Sequence, residues 1–268
     1  LRVWGPSGSK KEWGTAYALE HMEKMLAWDA ASRLGNVNTK GQQLEVTEFD
    51  YKGVNQVIYD ENGVVIRSIP AIHALDCPVS FILDWNGLKF AFSSDTYPNK
   101  WWIEHTKGAD ISIHESFLPP QLLVTKQKFP VEDALNVGTQ VHTEPSMFGK
   151  VMSLTKPRMA VAYHFYNDFD TAPIVERQIR KTYDGPLSLA VDYMVWNVTK
   201  DKIRTRMAVI NHEAWPLPST TPKLPADPKD RVGFTKFLLD GREVFTDVVQ
   251  AIYDETNKQF GTSVPAPK

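Results

Sequence analysis

The chain has 268 residues, of which 42% are hydrophobic and 23% are charged, and such proportions are ordinary for a globular protein with one large core or two smaller ones. The net charge of −2 gives no global reason to expect nucleic acid as a partner. No apolar run approaches the length of a membrane span, so no membrane partner is predicted. The single cysteine, Cys77, excludes an intrachain disulfide and a zinc site built from thiolates, and is compatible with a reducing cytosol.

The first residues, LRVWGPSG, form a strand-like run that ends in a turn. We therefore expect the numbering to begin inside a fold, with any leader sequence lying upstream. Residues 11–34 follow as a predicted helix, with Trp13, Tyr17, Met25 and Trp28 at helical spacing on one face. This pattern predicts an amphipathic helix that faces the core.

Residues 44–72 contain three short β-type runs, LEVTEFDY, QVIYD and VVIRSIPAI. Asn62-Gly63 predicts a tight hairpin between the second and the third run, because both residues tolerate positive φ. We predict a β-meander whose last strand delivers His73 into a polar loop.

A second hairpin is the best-organised local structure of the chain. Two apolar runs, residues 79–85 and 88–93, flank Asn86-Gly87, and the second run leads into Ser94-Asp95-Thr96. Asp95 is therefore predicted at the C-terminal end of a strand, where open α/β sheets build their sites.

The remainder of the chain alternates helical and strand-like segments. We predict helices at residues 99–107, 131–137, 143–154 and 172–181, and strands at residues 109–115, 158–163, 186–199 and 203–210. A long, Pro-rich loop links the strand at 109–115 to the next helix. The predicted domain organisation is one domain at residues 1–214, a Pro-rich linker at 215–230 and a helical tail at 231–268.

Titratable residues recur where the predicted strands end. The positions are His73, Asp95, His114-Glu115 and His164, and His142 directly precedes a helix. Each alone has an ordinary structural explanation, such as a helix cap or a bond to a neighbouring carbonyl. Together, imidazole and carboxylate without cysteine form the donor set of catalytic zinc, where three protein ligands leave a position for water.

Several of these segments resemble the second half of the metallo-β-lactamase superfamily, in its ribonuclease Z-like branch of bacterial hydrolases. The segments are VWGPSG, the hairpin ending in SSDT, the strand ending in IHES, HTE before a helix and the strand ending in AVAYHF, and they span about residues 1–198. The resemblance implies an α/β fold, the αβ/βα sandwich of that superfamily, here without its N-terminal portion.

The resemblance also implies roles for individual residues. His73 matches a ligand of the first of two zinc ions, Asp95 the carboxylate that bridges both, and His164 the histidine that completes the second. His142 matches a proton donor to the leaving group, and Glu115 matches the carboxylate that orients it.

One expected motif is absent: the His-x-His-x-Asp-His segment that supplies further zinc ligands in this superfamily does not occur in the 268 residues. Two accounts fit this absence. Either an upstream segment or another copy completes the site, which includes a possible homo-oligomer, or the chain is a relative that has lost its metals. We favour the first account, because a metal-free relative has little reason to keep His73, Asp95, Glu115, His142 and His164 together.

The predicted function is a zinc-dependent hydrolase that uses a metal-activated water, with two zinc ions expected in the intact protein. Its substrate is an ester or amide, either a small molecule or a nucleic acid, and the candidates include phosphodiesters and β-lactams. No Gly-Pro-rich basic insertion of the kind that grasps tRNA is present. The alternative function is a non-catalytic binding or assembly module that uses aromatic surface residues.

Overall fold

The structure, a computed structural model, describes residues 1–210, 225–243 and 245–267. Residues 215–224 of the predicted linker, with Trp215, lie outside the described residues. The chain divides into two compact units, the first comprising Leu1–Ala27 and Gly41–Pro222 and the second Trp28–Lys40 and Lys223–Lys268. None of the helices that the structure describes combines the length and the apolar character needed to cross a bilayer.

The elements of the first unit alternate between short strands and short helices. They are β1 (Arg2–Pro6), α1 (Thr15–Met25), β2 (Glu45–Phe49), β3 (Gln56–Glu61), β4 (Val64–Pro70), β5 (Val79–Trp85), β6 (Leu88–Phe92), α3 (Lys100–His105), β7 (Ile111–Glu115), α4 (Pro120–Gln127), α5 (Val131–Asn136), α6 (Pro145–Thr155), β8 (Met159–Tyr163), α7 (Ala172–Ile179), β9 (Leu187–Leu189), β10 (Met194–Val198) and β11 (Ile203–Met207). The helix α2 (Ala27–Arg33) follows α1 directly.

A seven-stranded sheet in the order β3-β4-β5-β6-β7-β8-β9 forms the centre of the first unit. Strands β3 to β6 are antiparallel to their neighbours, and β6 to β9 are parallel. Both predicted hairpins are present, with positive φ at Asn62, Gly63, Asn86 and Gly87. The predicted α/β fold class is confirmed.

One face of this sheet packs against α3, α6 and α7. The core on this face includes fully buried side chains from the helices and small or branched ones from the strands, among them Trp102, Phe148, Ile82, Ala91 and Ala160. A smaller cluster of buried residues, Leu118, Leu122, Leu123 and Ala134, holds α4 and α5. Within β5, the buried Ser80 and Ile82 alternate with the half-buried Phe81 and Leu83, as expected from the two-residue repeat of a strand.

The prediction of a single core-facing helix at residues 11–34 is wrong. The segment forms a 3₁₀ turn at Lys11–Trp13 followed by α1 and α2, and none of these elements has a buried residue. Met25 is 76% exposed and Trp28 is 82% exposed, so the apolar spacing does not mark a core face.

Three strand and loop predictions also need correction. The run LEVTEFDY forms β2, which pairs in parallel with β1 and does not join the meander. Residues 186–199 are two strands, because β9 pairs with β8 while β10 pairs with β11. The Pro-rich loop after β7 contains the helix α4, which begins at Pro120.

The second unit brings together two stretches that are far apart in sequence. Its helices include α8 (Lys236–Asp240) and α9 (Thr246–Phe260), which lie within the stretch 231–268 predicted as a helical tail. The Arg231 Nε atom donates to the Gly35 carbonyl at 3.0 Å, and the Asn38 side chain donates to the Pro225 carbonyl at 3.2 Å.

Candidate metal centre

Four strands of the central sheet end at the same edge. Strands β6, β7 and β8 are parallel, and β4 runs in the same direction because two antiparallel pairings separate it from β6. His73, Asp95, Glu115 and His164 follow or terminate these strands. The sheet therefore brings four of the five predicted site residues to one edge, and the turn before α6 adds His142.

Asp95, His142 and His164 form a close group of potential metal ligands. One ligand atom from each lies within 4.8 Å of the ligand atoms of the other two. The His164 Nε2 atom is 3.4 Å from the Asp95 Oδ2 atom. His164 has a positive φ of 72°, a conformation that is uncommon outside glycine and asparagine, at the turn where its strand ends.

Glu115 is fully buried and contacts both the His142 ring and the loop that carries Asp95. Its Oε2 atom is 3.0 Å from the Nδ1 atom of His142, and its Oε1 atom accepts a hydrogen bond from the backbone N–H of Thr96. Thr96 directly follows Asp95, and its carbonyl accepts a hydrogen bond of 2.6 Å from the Thr143 hydroxyl. One carboxylate therefore positions the Asp95 loop and the His142 ring relative to each other.

His73 lies beside this group. Its ring centroid is 4.7 Å from that of His142, and its Nδ1 atom is 3.4 Å from the Val141 carbonyl oxygen. The structure thus brings His73, Asp95, Glu115, His142 and His164 together as the sequence predicts. The roles predicted for each of them stay predictions.

Two aromatic residues at the site were not predicted. The Phe117 ring stacks on His142, with centroids 4.2 Å apart, and lies 5.3 Å from the ring of His164. Burial, together with the charges of Asp95 and Glu115, raises the pKa of the Tyr163 phenol, so that it stays protonated. Tyr163 ends β8 and could have been found from that position, whereas Phe117 lies in a loop and has no comparable sequence signal.

The sequence groups His114 with these residues because it directly precedes Glu115 in the same strand, but its side chain lies on the opposite face of the sheet. Its ring centroid lies 4.9 Å from that of Trp102 and 5.9 Å from that of Phe148 in the core. Burial lowers its pKa to about 4. His114 is therefore a neutral core residue, which agrees with the alternation of side chains along a strand.

The donor set fits a zinc ion. Two imidazoles and one carboxylate are ligands that zinc accepts, and three protein ligands are the number that leaves a position open for water. The bond from the Nδ1 atom of His142 to Glu115 resembles the carboxylate contacts that orient metal-bound histidines in general, and it leaves the Nε2 atom available.

No protein-family model matches the chain, and no curated protein matches it. Solved structures with similar folds include the metallo-β-lactamase fold protein YhfI from Bacillus subtilis, at 12% identity and a TM-score of 0.46 over 71% of this chain. Human tRNase Z, short form, is similar at 14% identity and a TM-score of 0.45 over 72% of this chain. Zinc-bound PqqB from Methylobacterium extorquens is similar at 10% identity and a TM-score of 0.42 over 71% of this chain.

Of these neighbours, YhfI is described as a metallo-β-lactamase fold protein and the human protein as a tRNase Z. The chain spans 62% of the length of YhfI, 66% of human tRNase Z and 60% of PqqB. Identities this low and TM-scores below 0.5 carry no inference about activity, so the function has to be argued from the site.

Proposed function

We propose that this chain carries the metal-binding edge of a zinc-dependent hydrolase with a metallo-β-lactamase-type fold. The observation that supports this most is the meeting of Asp95, His142 and His164, whose ligand atoms lie within 4.8 Å of one another. These residues come from three separate loops that the sheet and the Glu115 contacts bring to one place. A purely structural role for any one of them does not require the other two.

Asp95 and His164 would hold the metal, with His73 beside them. A bound zinc ion lowers the pKa of a coordinated water toward neutrality and stabilises negative charge that develops on an ester or amide. Phe117 covers one face of His142 and so limits the access of water to that ring. Glu115 fixes the orientation of His142, because its Oε2 atom accepts a hydrogen bond from the Nδ1 atom of that ring.

Two uses are open to the remaining nitrogen of His142. In the proposed mechanism His142 donates a proton to the leaving group, and Glu115 orients the His142 ring. Such a pair suits general acid catalysis. The geometry also allows His142 to bind the metal, because its ligand atom belongs to the same close group as those of Asp95 and His164. Metal content separates the two uses, since only a ligand is needed to retain the ion.

The substrate class proposed is an ester or amide, including phosphodiesters and cyclic amides. A hydrolysis screen of bis-p-nitrophenyl phosphate against a chromogenic β-lactam distinguishes these two. Turnover of neither, in protein that contains no zinc, would favour the alternative of a binding or assembly module.

We also propose that two zinc ions require ligands beyond those that the described residues bring together, from an upstream segment or another copy. The described residues bring one close group of three such ligands together, which suffices for a single catalytic ion. Measured stoichiometry bears on this directly: about one zinc per chain is expected without the additional ligands and about two with them.

The first test compares the replacement of a proposed ligand with the same replacement at an exposed aspartate, which serves as the matched control. Asp95→Ala should lower zinc content and hydrolysis together, by at least about tenfold, because it removes the carboxylate from the close group of potential ligands. Asp201→Ala, at an exposed turn between β10 and β11, should change neither. Zinc content is measured by atomic absorption after dialysis.

His142→Ala completes the set. If this variant retains zinc but loses turnover, the role of His142 as a proton donor is supported. If it loses as much zinc as Asp95→Ala, His142 is a ligand. Normal zinc content and turnover in Asp95→Ala would refute the proposed metal centre.

A further inference from the structure

A cavity of about 770 Å³ opens beside His73 in the first unit. Such a volume suits a small organic ligand, since ligand pockets typically span about 300–1,000 Å³. Residues from five parts of the chain line it, including Trp13, Tyr51, Lys52, His73, Trp101 and Gln140. The proposed function does not use the cavity, apart from the placement of His73 at its wall.

Three of the lining residues are aromatic, and each has a lysine ammonium over its ring. Lys10 lies 4.7 Å from the Trp13 ring centroid and Lys52 lies 5.4 Å from that of Tyr51. Lys100 lies 5.5 Å from the Trp101 centroid. These contacts keep three positive charges near the aromatic surfaces of the cavity.

Lysine ammonium groups lie beside the aromatic walls of the cavity. Lys52 and Asp76 line it with opposite charges, and Lys10 and Lys100, which do not line it, place two further ammonium groups over the rings of Trp13 and Trp101. A cleft with an excess of one charge raises the local concentration of ligands with the opposite charge. Apolar and aromatic walls at the same place favour a flat, apolar body.

A hydrogen bond and a ring contact connect the cavity to the candidate metal centre. The backbone N–H of Ile72, a lining residue, donates to the Thr96 hydroxyl at 2.9 Å, and Thr96 follows Asp95. His73 contacts both sides, because it lines the cavity while its ring lies 4.7 Å from that of His142. A ligand in the cavity is thus adjacent to the residues proposed to act on it.

We propose that this cavity binds an organic anion with an aromatic ring, as the recognition site for the substrate of the proposed hydrolase. The ring lies against Trp13 and Trp101, and the anionic group lies near Lys52. Trp13 and Lys52 are then specificity-determining residues. The role in hydrolysis rests on the proposed function, but binding of the aromatic anion does not require a metal.

Calorimetry on the full chain tests the proposal with four probes: 2-naphthoate, 2-naphthyl phosphate, the neutral 2-naphthalenemethanol and the non-aromatic cyclohexanecarboxylate. We expect at least one naphthyl anion to bind about tenfold more tightly than both the neutral and the non-aromatic probe, which corresponds to one favourable ring or charge contact. The ratio of the two naphthyl anions identifies the preferred anionic group. Equal binding of all four probes would overturn the proposal.

Variants locate the binding site. Trp13→Leu should weaken binding of the preferred anion about tenfold, and Lys52→Gln about three- to fivefold at low ionic strength, with the neutral probe unaffected by the second change. Trp28→Leu and Lys202→Gln, which replace exposed residues that do not line the cavity, should leave binding unchanged. Circular dichroism confirms that each variant is folded.

Asp95→Ala separates this proposal from the proposed function. If the cavity holds the anion, this variant binds the naphthyl probe as the wild type does, even where its zinc and hydrolysis are lost. Loss of probe binding in Asp95→Ala, with no effect of Trp13→Leu or Lys52→Gln, shows that the anion binds the metal and overturns the cavity as its site.

Discussion

At the scale of single residues, two neighbours in β7 occupy opposite environments. Glu115 is buried but accepts hydrogen bonds at both oxygens, from Thr96 and from His142. His114 is buried in an apolar core, and its Nε2 atom has no hydrogen-bond partner in the described part of the chain. A buried polar group without a partner is costly, and a proton on that ring would add the cost of a buried charge.

His114 makes the folding stability depend on pH. Its pKa is about 4 in the folded protein and about 6.5 in an unfolded chain, so the unfolded state binds more protons between these values. The stability that neutral His114 provides is complete above about pH 6.5 and falls as the pH drops toward 4, by roughly 3 kcal/mol in total.

His114→Gln removes this titrating group. Urea unfolding of the wild type and the variant at pH 7.5 and pH 4.5 should show a larger acid-induced loss of stability in the wild type. All other titrating groups are common to both proteins, so parallel losses would show that His114 does not titrate in this way.

At the scale of elements, the hairpin of β5 and β6 was predictable because its turn is local. Asn86 and Gly87 both have positive φ, as a tight hairpin of this dipeptide requires. The turn sets the register of the pair, in which Leu83 faces Phe90 and Ile82 faces Ala91. The register in turn places Asp95 at the site edge.

Gly87→Ala should destabilise the first unit by about 1 kcal/mol, because a Cβ atom disfavours the φ of 72° at this position. The nearest atoms to an added Cβ belong to the flexible end of Lys200, so the cost is conformational rather than steric. Thermal unfolding measures the change. Gly233→Ala, at a glycine without positive φ and with no atom within 4 Å of an added Cβ, serves as the control and should shift stability by less than about 0.5 kcal/mol.

Two elements were mispredicted because sequence patterns do not show what a segment packs against. The spacing of Met25 and Trp28 suggests one apolar helix face, but both side chains are exposed. The prolines before α4 suggest a loop, yet proline is compatible with the first turn of a helix, and α4 begins at Pro120.

At the scale of the whole first unit, the two faces of the central sheet differ. Ile82 on the helix-covered face is 2% exposed, whereas its neighbour Leu83 on the opposite face is only half-buried. The destabilisation caused by truncating a side chain grows with the extent to which the removed atoms were enclosed. Truncation to alanine should therefore destabilise the protein unequally on the two faces.

Ile82→Ala should destabilise the protein by roughly 2–4 kcal/mol, and Leu83→Ala by about half as much or less. Denaturant unfolding of both variants at neutral pH measures the difference in destabilisation. Because the two residues are consecutive on one strand, they differ mainly in the face on which they lie. An equal loss at both positions would show that the face carrying Leu83 is as well covered as the helix face.

The sequence by itself determined the residues at the strand ends and the two tight hairpins, because strand alternation and turn conformations depend on neighbours in the chain. It therefore identified His73, Asp95, Glu115, His142 and His164 as candidates. Only the tertiary structure decided which of them meet. The group of Asp95, His142 and His164, and the cavity between Trp13 and Trp101, join residues far apart in sequence, and their distances follow from sheet order and loop packing.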